Sequence, residues 1–225
     1  MAKKVGMAII PFGSIEQHGP HLPLNTDVVP VYEIAKRVSS ETGAPVAPFL
    51  AYGASLGHKK FPGTVWLRPE TLSMIFTDIV HSFYEHGVKK ILALSGHGTN
   101  IFPLKAAWDN LRSELPDVQI KVVNWWEVSE EVQKLMAIDG GDHANAAETS
   151  LMLALQPELV HQEKMVDEVP PNLVFDYRVD QRSRTGVFGK PTLGNVAAGQ
   201  RLLDLAVRSI VELVKKGLKE EIPYR

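Results

Sequence analysis

Short apolar runs alternate along the chain with longer amphipathic stretches. The run from Val5 to Phe12 is almost continuously apolar, which is typical of a strand buried on both faces. Further strands are predicted at 44–50, 90–95 and 118–126, and helices at 27–42, 69–86, 101–115, 127–137, 146–155 and 195–216. Because strands and helices alternate, we expect an α/β fold in which a mainly parallel sheet is flanked by helices on both faces.

Two stretches do not follow this alternation. Segment 51–67 is a loop with several glycines, and loops of this length in compact domains usually serve a function. His58, beside two lysines in that loop, is a candidate substrate-facing residue. Segment 157–191 has scattered prolines and charges without a clear period, so we expect a loop that covers a site or an interface.

Size and composition favour one domain without nucleic-acid or membrane partners. The 225 residues are 44% hydrophobic, enough for a full core, and we expect a single domain over 1–225. The net charge of −2 provides no basic surface for a nucleic-acid backbone. No apolar run is long enough to span a membrane, and the run after Lys3 and Lys4 does not suit a signal peptide. We therefore expect a cytoplasmic protein.

The absence of cysteine narrows the chemistry. It excludes disulfides, thiolate zinc sites and cysteine nucleophiles. No Gly-x-Ser-x-Gly elbow is present, so a serine triad has little support either. A transition metal would have to be bound by His, Asp and Glu, and the chain has eight histidines.

The loop after the first strand is rich in metal-binding side chains. Glu16 and His18 are two residues apart, so in an extended segment they point to the same side. Asp27 follows at the predicted start of a helix, and glycines and prolines stiffen the path between them. Such a loop suits a divalent-metal site. Considered singly, Asp27 is also a candidate helix N-cap, and Glu16 a candidate surface carboxylate.

Two glycine-rich breaks carry further candidates. His97 lies between Gly96 and Gly98 at a strand-to-helix turn, where we expect the glycines to leave it exposed for ligand or catalytic use. A plain turn and a phosphate cradle at the helix N-terminus are the alternatives. His143 and Glu148 converge only if His143 lies in the loop and Glu148 on the helix that follows. A capping or salt-bridged role is the alternative for Glu148.

The remaining histidines have plainer predicted roles. His21 is expected to support the first loop from behind the ligands. His81, His86 and His161 lie on helices or near their ends, where solvation or the helix dipole accounts for them.

Five motifs together resemble the creatininase (creatinine amidohydrolase) family. The first is Gly-Ser-Ile-Glu-Gln-His-Gly-Pro-His-Leu-Pro-Leu-x-Thr-Asp at 13–27. Four shorter motifs agree with the family in order and spacing, at 57–64, 96–100, 143–150 and 186–191. The resemblance covers nearly the whole chain.

The resemblance implies a three-layer α/β sandwich and a metal-dependent amidohydrolase that opens a C–N bond of a small cyclic amide or formamide. It implies two divalent ions, with zinc favoured and manganese or iron as alternatives, and a homo-oligomer, with a hexamer favoured. The implied metal ligands are Glu16, His18, Asp27, His97 and Glu148, with Asp27 bridging the ions. His143 would be the general acid/base, and His58 and Trp126 would face the substrate.

The chain also departs from the creatinine-hydrolysing members. They carry a glutamate where this chain has Thr99, and a tryptophan shortly before the histidine that corresponds to His143, where residues 138–140 offer none. Trp126 is a candidate for a second substrate-side tryptophan, although strand core is an equal alternative. The other functions in view are a formamidopyrimidine deformylase of flavin or deazaflavin synthesis, a peptidase of redox-cofactor maturation, a metal-stabilised family member without catalysis, and a nucleotide-binding protein that uses 96–100.

Overall fold

A three-stranded parallel sheet lies at the centre of the computed structural model, which describes residues 6–223. The strands are β1 (Met7–Phe12), β2 (Lys90–Ser95) and β3 (Gln119–Asn124). Their order is β1-β2-β3, and both pairs are parallel, with Phe12 beside Ser95 and Ser95 beside Asn124. The predicted parallel sheet is confirmed. Val5, the predicted start of the first strand, and the lysines at 3 and 4 lie outside the described residues.

The predicted strand at 44–50 is wrong as a regular strand. Two isolated parallel bridges, Ile9 with Val46 and Phe12 with Leu50, are all the strand pairing described for it. Its two prolines, Pro45 and Pro48, have no backbone N–H and cannot donate to a continuous ladder. The segment therefore follows the free edge of β1 without forming a strand.

Seven α-helices are described within residues 6–223. They are α1 (Val29–Thr42), α2 (Pro69–Glu85), α3 (Ile101–Glu114), α4 (Glu130–Met136), α5 (Ala146–Leu155), α6 (Val179–Arg182) and α7 (Val196–Lys219). The short α6 and three 3₁₀ turns interrupt segment 157–191, which is otherwise the irregular loop expected. β3 ends before Trp125, so Trp125 and Trp126 lie in a 3₁₀ turn rather than in the predicted strand 118–126. None of the helices described is long and apolar enough to cross a membrane.

Alternate strand residues face two separate helical layers. One face packs against α1, α5 and α7 and includes Ile9, Leu92, Leu94 and Val123. The other packs against α2 and α3 and includes Ile10, Ile91, Ala93 and Val122. This arrangement follows from the two-residue period of a strand covered on both sides. The expected three-layer α/β sandwich is confirmed.

A glycine allows α5 and α7 to approach closely. A Cβ atom built on Gly199 of α7 would lie 1.9 Å from the backbone oxygen of Ser150 in α5. The Ser150 hydroxyl also accepts a hydrogen bond of 3.0 Å from the Asn195 backbone N–H, at the start of α7. These contacts fix α5, the helix that carries Glu148, against α7 in the same helical layer.

We expect Gly199→Ala to destabilise the protein by about 1–3 kcal/mol, because two helix backbones would have to move apart. Gly217→Ala in the same helix is the matched control. Its Cβ would meet only the flexible end of Met7, at 3.2 Å. Alanine there should raise the free energy of unfolding by up to about 1 kcal/mol through helix propensity. Urea unfolding of both variants measures the difference, and equal stability of the two would contradict the close packing.

Candidate metal centre

The strand ends bring the candidate ligands together. Glu16 and His18 lie in the loop after β1, and His97 follows β2 by two residues. Parallel strands end at the same edge of a sheet, so loops from β1 and β2 meet there. Asp27 joins them from the turn before α1, and Glu148 from the first turn of α5. The sequence expectation of a common edge is met.

Gly96 is required by a close backbone approach. A Cβ atom on it would lie 2.1 Å from the backbone oxygen of Asp27. The next residue, His97, is only 6% exposed, so the expectation that its glycine neighbours leave it exposed is wrong. The glycine instead lets the β2 loop press against the turn that carries Asp27, and the His97 ring is buried in the space between.

The Asp27 carboxylate lies between two histidines. Its Oδ1 is 3.1 Å from His18 Nε2, and its Oδ2 is 3.1 Å from His97 Nδ1. Glu16 Oε2 is also 3.1 Å from His97 Nδ1, and Glu148 Oε1 is 3.8 Å from His18 Nε2. The five side chains predicted as ligands therefore form two groups that share Asp27.

These separations suit metal coordination. Donor atoms arranged tetrahedrally about zinc at bond lengths of about 2.0–2.2 Å lie about 3.3–3.6 Å apart. Glu16 Oε1 is a buried carboxylate oxygen without a hydrogen-bond partner in residues 6–223. Buried, unpaired carboxylate oxygens are costly unless a cation compensates them. The residues present therefore fit divalent ions.

Ligand-forming triads of this cluster overlap. In residues 6–223, candidate ligand atoms lie within 4.8 Å of one another in three sets: Glu16, His58 and His143; His18, His143 and Glu148; and Glu16, His18 and Asp27. The histidines at 58 and 143 thus lie close enough to the cluster to take part in its chemistry.

The helix-capping alternatives do not account for the two carboxylates. The N-cap of α1 is Val28, and no side chain caps that helix. The N-cap of α5 is Asn145, whose side chain accepts the Glu148 N–H. Glu148 Oε2 accepts a 2.5 Å hydrogen bond from the Ala144 N–H, which leaves Oε1 directed at His18. Asp27 is therefore not a cap, and Glu148 supports its local turn with only one of its oxygens.

Charges within the cluster shift its titrations strongly. Burial by itself lowers the pKa of His18, but the charges of Asp27 and Glu148 outweigh it and raise that pKa to about 10. Burial of His97 is likewise outweighed by Glu16 and Asp27, and its pKa also rises to about 10. Burial raises the pKa of Glu148 to about 7, against the opposing charge of His18. The carboxylates thus attract positive charge, which here is carried by protons on imidazoles.

His143 lies in the loop before α5, as its convergence with Glu148 requires. Ala144 follows it with φ of 48°, the one positive φ at a non-glycine residue in 6–223. This left-handed residue turns the chain so that His143 Nδ1 comes within 3.8 Å of Glu16 Oε1. Burial and the charge of His18 hold the pKa of His143 well below its usual range. The His143 ring is therefore neutral.

His58, a candidate substrate contact, lies within the cluster. Its Nε2 lies 3.4 Å from Glu16 Oε1, and burial lowers its pKa. Gln17 Nε2 is 3.0 Å from His58 Nδ1 and 2.9 Å from His143 Nε2. Gln17 was not singled out from the sequence, because strand alternation directs it away from Glu16 and His18. The loop is not a regular strand, so all three side chains reach the same region.

His21 and Trp126, the remaining candidates, lie in different places. His21 Nε2 lies 2.9 Å from the Thr149 hydroxyl, which fits its expected role behind the ligands. Trp126 is half-buried against the core and stacks edge-to-face on Trp125 at 5.5 Å. Its ring also lies 4.0 Å from the position of a Cβ on Gly98, beside His97. Trp126 therefore contributes to the core and lies next to the cluster.

Asn100 joins two of the loops that form the site. Its Nδ2 donates to the Gly13 backbone oxygen at 3.0 Å, and its Oδ1 accepts the Ala54 N–H at 2.8 Å. Both contacts are buried. The sequence places Asn100 within a recognisable motif, but its partners lie 46 and 87 residues away and leave no local signal.

Comparison with known proteins points to one family. The family described as Creatininase, creatinine amidohydrolase, matches residues 1–214. Creatinine amidohydrolase of Pseudomonas putida is 30% identical, covering 96% of this chain and 89% of that protein. The mycofactocin precursor peptide peptidase of Mycolicibacterium smegmatis is 33% identical, covering 94% and 85%. A crystal structure of creatinine amidohydrolase (creatininase) matches with a TM-score of 0.86 at 28% identity, covering 97% of this chain and 93% of that chain.

Asn100→Ala should destabilise the protein, because it leaves the buried Gly13 oxygen and Ala54 N–H unpartnered. Each such group costs about 1–3 kcal/mol. Asn110→Ala, at an exposed position of α3, should change the free energy of unfolding by less than about 0.5 kcal/mol. Chemical denaturation compares the two. Equal stabilities would show that Asn100 does not tie the loops together.

Proposed function

The chain belongs to the creatininase family, and we propose that it hydrolyses a C–N bond of a small cyclic amide or formamide at a centre of two divalent metal ions. The family resemblance seen in the five motifs is confirmed. Family membership makes the chain a hydrolase of carbon–nitrogen bonds. The substrate and the division of roles among the residues are the parts proposed.

The two-sided contact of Asp27 is the observation that carries the proposal. Each of its oxygens lies 3.1 Å from a different histidine, so Asp27 is suited to bridge two ions. We assign one ion to Glu16, His97 and Asp27, and the other to His18, Asp27 and Glu148.

The ligand chemistry suits zinc first. Imidazole and carboxylate groups without thiolates bind zinc, and they also accept manganese or iron. Solved creatininases include a Zn–Zn form and a manganese form. When bound, such ions lower the pKa of water to near neutral and polarise the amide carbonyl. Two zinc ions are therefore the favoured occupants, with manganese or iron as alternatives.

His143 is proposed as the group that transfers a proton to the leaving nitrogen. Its Nδ1 lies 3.8 Å from Glu16 Oε1, and its Nε2 is 2.9 Å from the Gln17 backbone oxygen. A neutral imidazole anchored through Nε2 can take up a proton at Nδ1 and return it during C–N cleavage. His58 and Trp126 are proposed to contact the substrate, His58 from within the cluster and Trp126 from its edge.

We propose that the substrate is a small amide other than creatinine. Thr99 stands where, by the family resemblance, creatinine-hydrolysing members carry a glutamate. A formamidopyrimidine is one candidate substrate. A short peptide is a second, supported by the 33% identity to a peptidase. A family member that binds metals without turnover is the remaining alternative.

Three further expectations stay predictions. They are the single domain over residues 1–225, the homo-oligomer with a hexamer favoured, and the cytoplasmic location. The contacts described above lie within one chain and test none of them. The absence of nucleic-acid and membrane partners likewise stays a prediction.

Metal reconstitution tests the proposed function directly. Metal-free protein is loaded with zinc or manganese and assayed against creatinine, formamidopyrimidines and short peptides. His97→Ala should weaken the binding of one ion by more than about 100-fold and abolish turnover, because it removes a direct ligand. His81→Ala is the matched control, since His81 is exposed and pairs only with Glu114 among the described residues. Full metal content and activity in His97→Ala would refute the assignment.

His143→Ala should separate proton transfer from metal binding. We expect it to retain both ions and to lower kcat by about 10²–10⁴-fold, since it removes a general acid/base but no ligand. Metal content is measured by atomic absorption and kcat with the substrate found in the screen. Loss of an ion together with activity would instead make His143 a ligand.

A further inference from the structure

Thr99 makes two hydrogen bonds that bear on the metal centre. It lies in the 3₁₀ turn Gly98–Asn100, two residues after His97. Its hydroxyl oxygen is 2.8 Å from the Ala54 backbone oxygen and 2.6 Å from His97 Nε2. The family resemblance marks this position as a departure from the creatinine-hydrolysing members but gives the threonine no role of its own.

The direction of both hydrogen bonds follows from the groups involved. A hydroxyl has one hydrogen to donate and lone pairs that accept. The Ala54 carbonyl can only accept, so the Thr99 hydrogen is directed to it. The contact at 2.6 Å must then be donated by His97 Nε2–H to the Thr99 oxygen.

Ala54 is a fixed acceptor for this hydroxyl. Its N–H is held at 2.8 Å by Oδ1 of Asn100, the residue after Thr99. Neighbouring residues of one turn therefore hold the two polar backbone groups of Ala54. The Thr99 hydroxyl hydrogen has a partner in a fixed position, which leaves its oxygen lone pair directed at the imidazole.

We propose that Thr99 is a positioning residue that makes His97 bind its metal ion through Nδ1. A neutral imidazole with its hydrogen on Nε2 has its free lone pair on Nδ1. That atom lies 3.1 Å from both Glu16 Oε2 and Asp27 Oδ2, where the first ion is proposed. Groups that hold the second nitrogen of a metal-binding histidine fix its tautomer and orientation. The inference rests on the proposed two-metal function.

The opposite hydrogen-bond direction would have a different consequence. If Thr99 donated to His97 Nε2, the neutral ring would carry its hydrogen on Nδ1, between Glu16 and Asp27. The Ala54 oxygen would lose its partner, and His97 could not bind an ion through Nδ1. The two arrangements can be separated by removing the hydroxyl without changing the size of the side chain.

The test compares Thr99→Val with Thr99→Ser. Valine has the shape of threonine but cannot accept the Nε2 hydrogen, whereas serine keeps the hydroxyl. We expect Thr99→Val to lower the affinity for one of the two zinc ions by about 10–100-fold, measured by competition with a chelator. The second ion, held by His18 and Glu148, should keep its affinity. Thr99→Ser should bind the first ion with an affinity within about threefold of the wild-type affinity.

Several results would overturn the inference. One is wild-type zinc affinity for both ions in Thr99→Val. Another is an equal loss in Thr99→Ser, which would make the threonine methyl group responsible. Equal weakening of both ions with a lowered melting temperature would indicate a general structural role. Wild-type protein that binds no zinc would refute the two-metal function itself, a result distinguishable from all of these.

Discussion

Two buried carboxylates, Glu16 and Asp27, lie with the partly buried Glu148 at one edge of the sheet, and the rest of the site depends on how their charge is compensated. Burial opposes the ionisation of both Glu16 and Asp27, and the charge of Asp27 opposes that of Glu16 further. Both nevertheless have a lowered pKa, which His97 and His58 cause at Glu16 and His18 and His97 cause at Asp27. A cluster of buried anions is stable only with positive charge among them. Protons on histidines provide it here, and divalent ions would provide it more fully.

The backbone is arranged to bring these charges close. Gly96 allows the β2 loop to contact the Asp27 turn, and Gly186, with φ of 84°, fits against the Gln17 side chain. A side chain at either glycine would separate two of the loops that form the site. Asn100 then joins the first loop to the one that carries His58. Glycines thus allow the loops of the site to pack closely, and a buried amide side chain hydrogen-bonds them together. The charged residues lie at the centre of the site.

The sequence predicts the parts of this structure whose signals are local. The strands at β1 and β2 follow from apolar runs, and the candidate ligand set follows from the motifs that resemble the creatininase family. The prediction of a strand at 44–50 was wrong because Pro45 and Pro48 have no backbone N–H to donate to a neighbouring strand. The apolar character of the segment does not show this. Gln17 and Thr99 were missed as structural partners because their contacts depend on where irregular loops fold back. Burial of His97 was missed for the same reason. The neighbouring Gly96 packs against the backbone of Asp27, which lies 69 residues earlier in the chain.

The environment divides four histidines into two chemical kinds. His18 and His97 lie between carboxylates and keep their protons until a stronger cation replaces them, so they suit metal binding. At His58 and His143, burial and neighbouring positive charge lower the pKa and keep the rings neutral. Groups whose environments push their pKa values apart can act as charge carrier and proton acceptor in one site. The loops at 51–67 and 157–191 also reach this cluster, because Gln17 Nε2 contacts both His58 Nδ1 and the Gly186 backbone oxygen.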